Sequence, residues 1–284
     1  MTDMKTILIT GATSGIGLAA ARQIAAGGGR LVLVGRNPER LAAAARQVGA
    51  AGAEAVDTLE CDVSSRDSVR GLAERVLDRY ERIDVLANNA GGFFLTRSES
   101  VDGVESTFAT NHLGGFLLTE LLLDRLVASG PARIVFTASV MHYGAVLDFD
   151  DLELRRGYSG QKAYSRSKLA NVLYARALSR RLAGTGVTAN AFHPGAVATG
   201  IWDAAPWFAR PVMDVVKRIF MVSSEEGGRR LTYVATDPDL AAVTGCYFQN
   251  DRVKAPSRVA QDDAVGERLV AESARMVGLA AASR

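Results

Sequence analysis

The chain has 284 residues, of which 48% are hydrophobic and 23% are charged. This composition supports a buried core and excludes intrinsic disorder. The 33 basic and 31 acidic residues leave a net charge of +2, so nucleic acid is not an expected partner. The length fits one large domain or two small ones. The 28 glycines, about 10% of the chain, exceed the usual share of about 7%, and their positions need an explanation.

Cysteine usage and hydropathy exclude two further classes of protein. Cys61 and Cys246 lie far apart and belong to no C-x-x-C or Cys/His array, so we expect neither a disulfide framework nor a metal site. No secretory signal is recognisable. The most apolar stretch, 113–127, contains three charged residues, so we expect no membrane span. These features predict a cytoplasmic protein.

Short β-branched runs alternate with longer amphipathic segments along the chain. The predicted strands are 6–10, 31–35, 55–59, 83–87, 133–137, 187–192 and 246–249. The predicted helices are 15–26, 38–49, 65–80, 111–129, 164–182 and 225–235. Such alternation is typical of right-handed βαβ units. We therefore expect an α/β protein with a doubly wound parallel sheet of about seven strands and helices on both faces.

No linker, repeat or low-complexity tract divides the chain. The sizeable irregular regions are about 144–161 and 197–223, and the second is rich in Trp, Phe, Pro and Met. One domain spanning 1–284, with two elaborated loops above the sheet, is the simplest organisation.

The first predicted strand runs directly into a glycine-rich turn with the spacing G-x-x-x-G-x-G. Glycines at a strand-to-helix junction allow a tight turn and let the backbone approach a pyrophosphate, which the N–H groups of the helix N-terminus then bind. Glycines can also serve a purely steric need at such a turn, so this alternative stays open. The residues of a Rossmann-type dinucleotide site here are Gly11, Thr13, Ser14, Gly15, Ile16 and Gly17.

The residues after the second strand bear on which dinucleotide is bound. An acidic residue there would bind a ribose 2′-hydroxyl, whereas an arginine would pair with a 2′-phosphate. The chain has Arg36 and Asn37 at this point, and Glu39 already lies in the next helix. Arg36 therefore favours NADP(H) over NAD(H), unless it is a solvated surface arginine.

Two further motifs, Asn88-Asn89-Ala90-Gly91 and Tyr164-Ser165-Arg166-Ser167-Lys168, follow in order. Together with the glycine turn they resemble the short-chain dehydrogenase/reductase family, from Lys5 to about Thr199. The segments 158–164 and 168–173, with His193-Pro194-Gly195, are similar to the retinol dehydrogenase and WW-domain oxidoreductase branch. The loop 197–223 has no counterpart that we can assign.

The resemblance implies hydride transfer between a nicotinamide and a carbonyl or alcohol, with Tyr164 as the acid/base. Tyr164 and Lys168 are four residues apart on a helix and share a face. An ammonium at about 4 Å supplies on the order of 4 kcal/mol at an effective dielectric constant near 20, enough to lower the pKa of a tyrosine from about 10 towards neutrality. By resemblance, Ser139 binds the substrate oxygen and Asn111 holds a water behind Lys168.

The resemblance also assigns other cofactor contacts. Asp62 and Val63 are expected at the adenine. The residues expected beneath the adenosine ribose are Asn89, Ala90 and Gly91. Those expected at the nicotinamide carboxamide are Pro194, Gly195, Val197 and Thr199, with Tyr164 and Lys168 also at the cofactor. Of the three histidines, His112 and His193 are expected to serve packing, whereas His142 could touch the substrate.

The loops above the sheet carry apolar side chains, including Trp202, Trp207, Phe208 and Met213. They favour a hydrophobic carbonyl or alcohol as substrate, although these aromatic residues could equally pack the loop onto the domain. The chain lacks the sequence motifs of a serine hydrolase and of a P-loop nucleotidase. The remaining alternative is a catalytically silent NADP-binding regulatory or scaffold protein, against which Asn111, Ser139, Tyr164 and Lys168 argue. The leucine-rich helix 111–129 could be buried within the chain or could pair across a two-fold axis, and the second alternative would give a homodimer.

Overall fold

One eight-stranded sheet organises residues 4–195 and 223–279, the part of the chain that the computed structural model describes. Its strands are β1 (Thr6–Thr10), β2 (Arg30–Gly35), β3 (Ala55–Glu60), β4 (Val85–Asn88), β5 (Ala132–Thr137), β6 (Val187–His193), β7 (Tyr247–Gln249) and β8 (Arg252–Lys254). The order is β3-β2-β1-β4-β5-β6-β7-β8. The chain changes direction across the sheet between β1 and β4, and in open α/β sheets ligands bind at such a point, outside the carboxyl ends of the strands.

Helices cover both faces of this sheet. They are α1 (Gly15–Ala25), α2 (Pro38–Ala50), α3 (Arg66–Arg79), α4 (Gly114–Ser129), α5 (Gly160–Arg181), α6 (Ser224–Thr236) and α7 (Asp263–Met276). The apolar core on one face involves α1, α2 and α6, and the core on the other involves α3, α4, α5 and α7. Strands covered on both faces need apolar side chains throughout, and β1 and β4 are fully buried. The predicted α/β doubly wound fold is confirmed.

The sheet has one strand more than the prediction. The seven predicted strands are parallel, and β8 adds an antiparallel edge strand to β7. Asn250 and Asp251 connect the two with φ angles of +52° and +58°, the backbone of a two-residue hairpin turn. All three residues of β8 are exposed, so no alternation of apolar and polar residues marks it in the sequence.

Two helices begin earlier than predicted. The helical segment expected from Asn111 starts at Ser106, because the carboxylate of Glu105 accepts hydrogen bonds from the backbone N–H groups of Thr107 and Phe108 at 2.7 and 2.8 Å. A π-helical turn, Ala109–Leu113, then leads into α4. Likewise α5 begins four residues before Tyr164. Asn111 therefore lies in the π-helical turn and does not cap a helix.

The first predicted substrate loop is tied down by side chains. The buried Arg166 of α5 donates hydrogen bonds to the carbonyl oxygens of Val146, at 3.2 Å, and Asp151. Tyr158 donates to the carbonyl of Phe94 at 2.9 Å. These bonds connect the loop to α5 and to the loop after β4. The second predicted loop, 197–223, lies outside the described residues except for Ser223.

The leucine-rich helix packs largely within the chain, since Leu117, Leu118 and Leu122 are buried in the core. A homodimer through this helix stays a prediction, as does the cytoplasmic location. Over the described ranges, every helix is too short or too polar to cross a bilayer.

Candidate active site

The turns after β1 and β4 pack backbone against backbone, and this requires glycine. A Cβ on Gly11, where φ is +67°, would lie 2.8 Å from Cα of Ala90. A Cβ on Gly17 would lie 2.3 Å from the carbonyl oxygen of Gly11 and 2.6 Å from Nδ2 of Asn89. Ser14, at the N-cap of α1, makes no side-chain hydrogen bond to the helix. The first N–H groups of α1 are thus uncapped by that side chain, as an anion site requires.

A cleft of about 310 Å³ lies above these turns. Predicted cofactor residues that line it are Gly11, Thr13, Ser14, Gly15, Ile16, Gly17, Arg36, Asp62, Val63, Asn89, Ala90 and Gly91. Further lining residues that the sequence reasoning did not select are Val34, Gly35, Arg40, Cys61 and Thr110. Pro194 and Gly195 follow β6, whereas Val197 and Thr199 lie outside the described residues.

Thr10 and Asn89 hold the floor of the cleft together. The hydroxyl of Thr10 accepts hydrogen bonds from the backbone N–H groups of Asn89 and Ala90, both at 3.0 Å. The side-chain amide of Asn89 donates to the carbonyl of Thr10 at 3.0 Å and accepts from the hydroxyl of Thr137 at 3.2 Å. Because these bonds span β1, β4 and β5, the Asn89 side chain fixes the backbone on which a cofactor would lie.

Two arginines line the cleft. Arg36 follows β2 and is exposed, and Arg40, four residues later in α2, is also exposed and lines the same cleft. Asn37 has a different role, because its Oδ1 accepts a hydrogen bond from the N–H of Arg40 at 2.8 Å and so caps α2. The spacing of four residues, which places both arginines near one helix end, is the signal that identifies Arg40.

The candidate catalytic residues converge beside this cleft. Lys168 is buried, and its Nζ lies 5.3 Å from the ring centroid of Tyr164 and donates to the carbonyl of Thr137 at 3.0 Å. Ser139, two residues beyond β5, lies close enough to Tyr164 to influence the pKa of its phenol. A Cβ on Gly91 would lie 3.1 Å from Oδ1 of Asn111 and 3.5 Å from Nζ of Lys168. The structure therefore brings all four predicted catalytic residues together.

Burial controls the electrostatics of the tyrosine and the lysine. It raises the pKa of Tyr164, and the side chain of Ser139 opposes this only in part. It lowers the pKa of Lys168 to about 8. Nζ of Lys168 lies 5.3 Å from the centre of the Tyr164 ring, and the pKa of Tyr164 is nevertheless raised by burial. The expectation that Lys168 lowers the pKa of Tyr164 towards neutrality stays a prediction.

Asn111 uses its side chain to fix the loop after β4. Its Oδ1 accepts from the N–H of Gly92 at 2.7 Å, and its Nδ2 donates to the carbonyl of Gly92 at 2.9 Å and to the hydroxyl of Ser167 at 3.0 Å. The backbone carbonyl of Asn111 accepts a hydrogen bond from Nδ2 of Asn171 at 2.9 Å. Neither Asn171 nor this contact was selected from the sequence.

The histidines are structural. His142 is fully buried, its Nδ1 donates to the carbonyl of Ser139 at 2.7 Å, and its Nε2 accepts from the N–H of Ser257 at 3.1 Å. The expectation that His142 touches substrate is therefore wrong, and it orients the backbone of Ser139 instead. Burial lowers the pKa of His112 and of His193 to about 4. Both are neutral packing residues near neutral pH.

The chain is similar in sequence to known proteins along nearly its whole length. A family model described as short chain dehydrogenase matches residues 5–206. Human retinol dehydrogenase 13 is 42% identical over 287 residues, which cover 98% of this chain and 86% of that protein. A Streptomyces protein named as a daunorubicin C-13 ketoreductase is 40% identical, with 96% and 93% covered.

The solved structure of an uncharacterized protein from Mycobacterium paratuberculosis is 32% identical, has a TM-score of 0.78 and covers 98% of this chain and 96% of its own. The family match and the human and Streptomyces relatives span nearly all of the sheet and the candidate catalytic residues. The chain therefore belongs to the short-chain dehydrogenase/reductase family, in its retinol dehydrogenase-like branch, and is an NAD(P)-dependent oxidoreductase.

Proposed function

We propose that this oxidoreductase uses NADP(H) to interconvert a hydrophobic carbonyl compound and its alcohol, with Tyr164 as the acid/base. The observation that carries the proposal is the convergence of Ser139, Tyr164 and Lys168 beside a glycine-lined cleft at the carboxyl edge of the sheet. Ligands of open α/β sheets bind at this edge.

The residues of the cleft fit a dinucleotide. The uncapped N-terminus of α1 and the close approach of Gly11 and Gly17 leave backbone N–H groups available to a pyrophosphate. Arg36 and Arg40 offer two guanidinium groups to the same cleft, where a 2′-phosphate would pair with them. When bound, the nicotinamide supplies or accepts the hydride.

The protein's own part in the reaction is to orient the substrate oxygen and to move one proton. The hydroxyl of Ser139 donates a hydrogen bond to that oxygen, which is an electrostatic role. The Oη atom of Tyr164 gives its proton to the oxygen during reduction and takes it back during oxidation. Lys168 presents positive charge to the phenol. Its pKa is about 8, so the protonated fraction of the lysine increases as the pH falls below this value.

One aromatic contact of Tyr164, and exposed apolar residues in the segments that contain Phe93 and follow Ser139, support a hydrophobic substrate. The ring of Phe93 lies 5.5 Å from that of Tyr164. Leu95 follows two residues later and is exposed, and the exposed Tyr143 lies in the helical turn that begins directly after Ser139. An apolar surface next to a proton donor favours carbonyl compounds with large hydrophobic substituents. The names of the human and Streptomyces relatives agree with this class of substrate.

The test follows NADPH and NADH absorbance with hydrophobic aldehydes, ketones and quinones and with small polar carbonyls as the contrast. We expect turnover with NADPH and the hydrophobic set. The variant Tyr164→Phe should lose at least about a hundredfold in kcat while keeping cofactor affinity. Tyr80→Phe, which removes a hydroxyl bonded to Asp57, should retain activity. Tight NADPH binding without turnover on any substrate would instead indicate the scaffold protein.

A further inference from the structure

A continuous chain of buried hydrogen bonds connects α7 to the catalytic lysine. Oγ of Ser273 in α7 lies 2.9 Å from Nε2 of His112, and Nδ1 of His112 lies 3.1 Å from Oδ1 of Asn171. Nδ2 of Asn171 bonds the carbonyl oxygen of Asn111 at 2.9 Å and that of Thr137 at 3.2 Å. The side chains of Ser273, His112 and Asn171 are all nearly or completely buried.

The direction of every bond in this chain is fixed by chemistry. Two carbonyl oxygens can only accept, so the amide of Asn171 turns its NH2 group towards them and its oxygen towards His112. Nδ1 of His112 must then carry the proton, which leaves Nε2 to accept from the hydroxyl of Ser273. The low pKa of His112, about 4 because of burial, keeps the ring in this neutral form. An amide flip of Asn171 would break three bonds.

The carbonyl of Thr137 is shared between Asn171 and Lys168. Nζ of Lys168 donates to it at 3.0 Å, and Nδ2 of Asn171 takes up its second lone pair. Asn171 also donates to the neighbouring carbonyl of Asn111. An ammonium has three N–H donors. Because Asn171 donates to the carbonyl oxygens of Asn111 and Thr137, these two oxygens can accept fewer hydrogen bonds from Lys168. The remaining donors of Lys168 are thereby free to face the cleft and Tyr164.

We propose that Asn171 is a positioning residue, which keeps Lys168 beside Tyr164 by occupying the carbonyl of Asn111 and the second lone pair of the Thr137 carbonyl, so that the ammonium makes one inward hydrogen bond and no more. His112 fixes the orientation of the Asn171 amide. The inference rests on the proposed function for its effect on turnover, whereas its effect on the ammonium of Lys168 is independent of turnover. A purely structural asparagine would stabilise the fold and leave both the lysine and the chemical step unchanged.

The test is Asn171→Ala, with Asn190→Ala as the matched control. Asn190 is equally buried, and its amide also bonds backbone groups, the carbonyl of Val243 and the N–H of Cys246. With Lys168 drawn inward, kcat of Asn171→Ala should fall about tenfold. Asn190→Ala should lower the melting temperature without changing kcat per folded molecule.

The second readout is the NMR titration of the Lys168 ammonium in the absence of cofactor, assigned by its loss in Lys168→Met. In Asn171→Ala the ammonium gains carbonyl acceptors, so the pKa of Lys168 should rise by about one unit from about 8. The variant His112→Phe, whose ring fits among Phe108, Phe116 and Tyr174, should raise this pKa in the same direction but less. If Asn171→Ala does not fold, His112→Phe provides the test.

The proposal is overturned if the folded Asn171 variant, or His112→Phe in its place, matches Asn190→Ala in kcat and keeps the wild-type titration of Lys168. If the wild-type enzyme turns over no substrate, the proposed function fails. The lysine titration then decides the role of Asn171 by itself, so the two failures are distinguishable.

Discussion

The buried ammonium of Lys168 should make the empty enzyme less stable than a variant that lacks it. Lys168 is 3% exposed, and burial lowers its pKa from the ordinary 10.5 to about 8. The difference of about 2.5 corresponds to about 3 kcal/mol of destabilisation of the charged form, at about 1.4 kcal/mol for each pKa unit. Lys168→Met keeps much of the side-chain volume but removes the charge.

The effect depends on pH in a defined direction. Below pH 8 the lysine is protonated in the folded and unfolded states, so the full cost is present. Between pH 8 and 10.5 the folded protein releases its proton first, so wild-type stability rises relative to the variant. Methionine cannot form the hydrogen bond that Lys168 donates to the carbonyl of Thr137, and this loss destabilises the variant by about 1 kcal/mol. Lys168→Met should thus be about 2 kcal/mol more stable at pH 7, and the sign should reverse near pH 10.

Urea unfolding of both proteins without cofactor, from pH 6.5 to 10.5, measures this difference. Titratable groups that both proteins share contribute equally to the two free energies of unfolding, so their contributions cancel in the difference. Lys162→Met, at an exposed position of the same helix, is the control and should stay within about 0.5 kcal/mol of wild type at every pH. A difference between Lys168→Met and wild type that does not change with pH would refute the lowered lysine pKa.

Two further predictions concern the cofactor cleft. Gly17→Ala should destabilise the fold by about 2 kcal/mol in urea unfolding, because its Cβ would lie 2.3 Å from the carbonyl of Gly11. Gly49→Ala in α2, whose Cβ meets nothing within 4 Å, should gain about 0.5–1 kcal/mol, and equal effects would contradict the steric argument. Arg36→Ala should lower kcat/KM about thirtyfold for NADPH and little for NADH, whereas Arg46→Ala, exposed in α2, should change neither. NADH serving wild type as well as NADPH would exclude the 2′-phosphate contact.

The parallel part of the fold was predictable because burial and periodicity act together there. β1, β4 and β6 are buried along their whole length. β1 and β4 are mostly apolar and so are clear in the sequence, whereas β6 also carries the buried polar residues Thr188, Asn190 and His193. The elements missed lie at the edge of the sheet or at its periphery. The exposed β8 has no apolar pattern, and α7 follows the last predicted strand, although Asp262 caps its first turn and gives a recognisable start signal.

Helix starts were harder to predict because one residue type can serve different local structures. Asn111 resembles a helix cap in the sequence, but the cap is the carboxylate of Glu105, six residues earlier. The side chain of Asn111 instead bonds Gly92, a residue of another loop. Only the tertiary structure brings that loop beside the π-helical turn, so local patterns could not assign the role.

The catalytic residues were predictable from motif spacing, but their supporting residues were not. Tyr164 and Lys168 share a helix, and four residues of separation suffice to place them on one face. Asn171 and His112 act through contacts between different elements. A sequence gives the distance between such residues along the chain, whereas their contact in space follows from the packing of α5 against the π-helical turn.

The pKa values show most clearly the difference between what residue spacing predicts and what the folded structure determines. Spacing brings an ammonium near a phenol, and in water this arrangement would favour phenolate. In the folded protein the larger effect is loss of hydration, which raises the pKa of Tyr164 and lowers that of Lys168. Both changes favour the neutral forms, so burial opposes the charge separation that proton transfer uses. A positive charge added beside the phenol would act in a cleft of low dielectric constant, where it is worth more than in water. The burial that makes Lys168 costly to the fold therefore also makes the phenol of Tyr164 responsive to what the cleft binds.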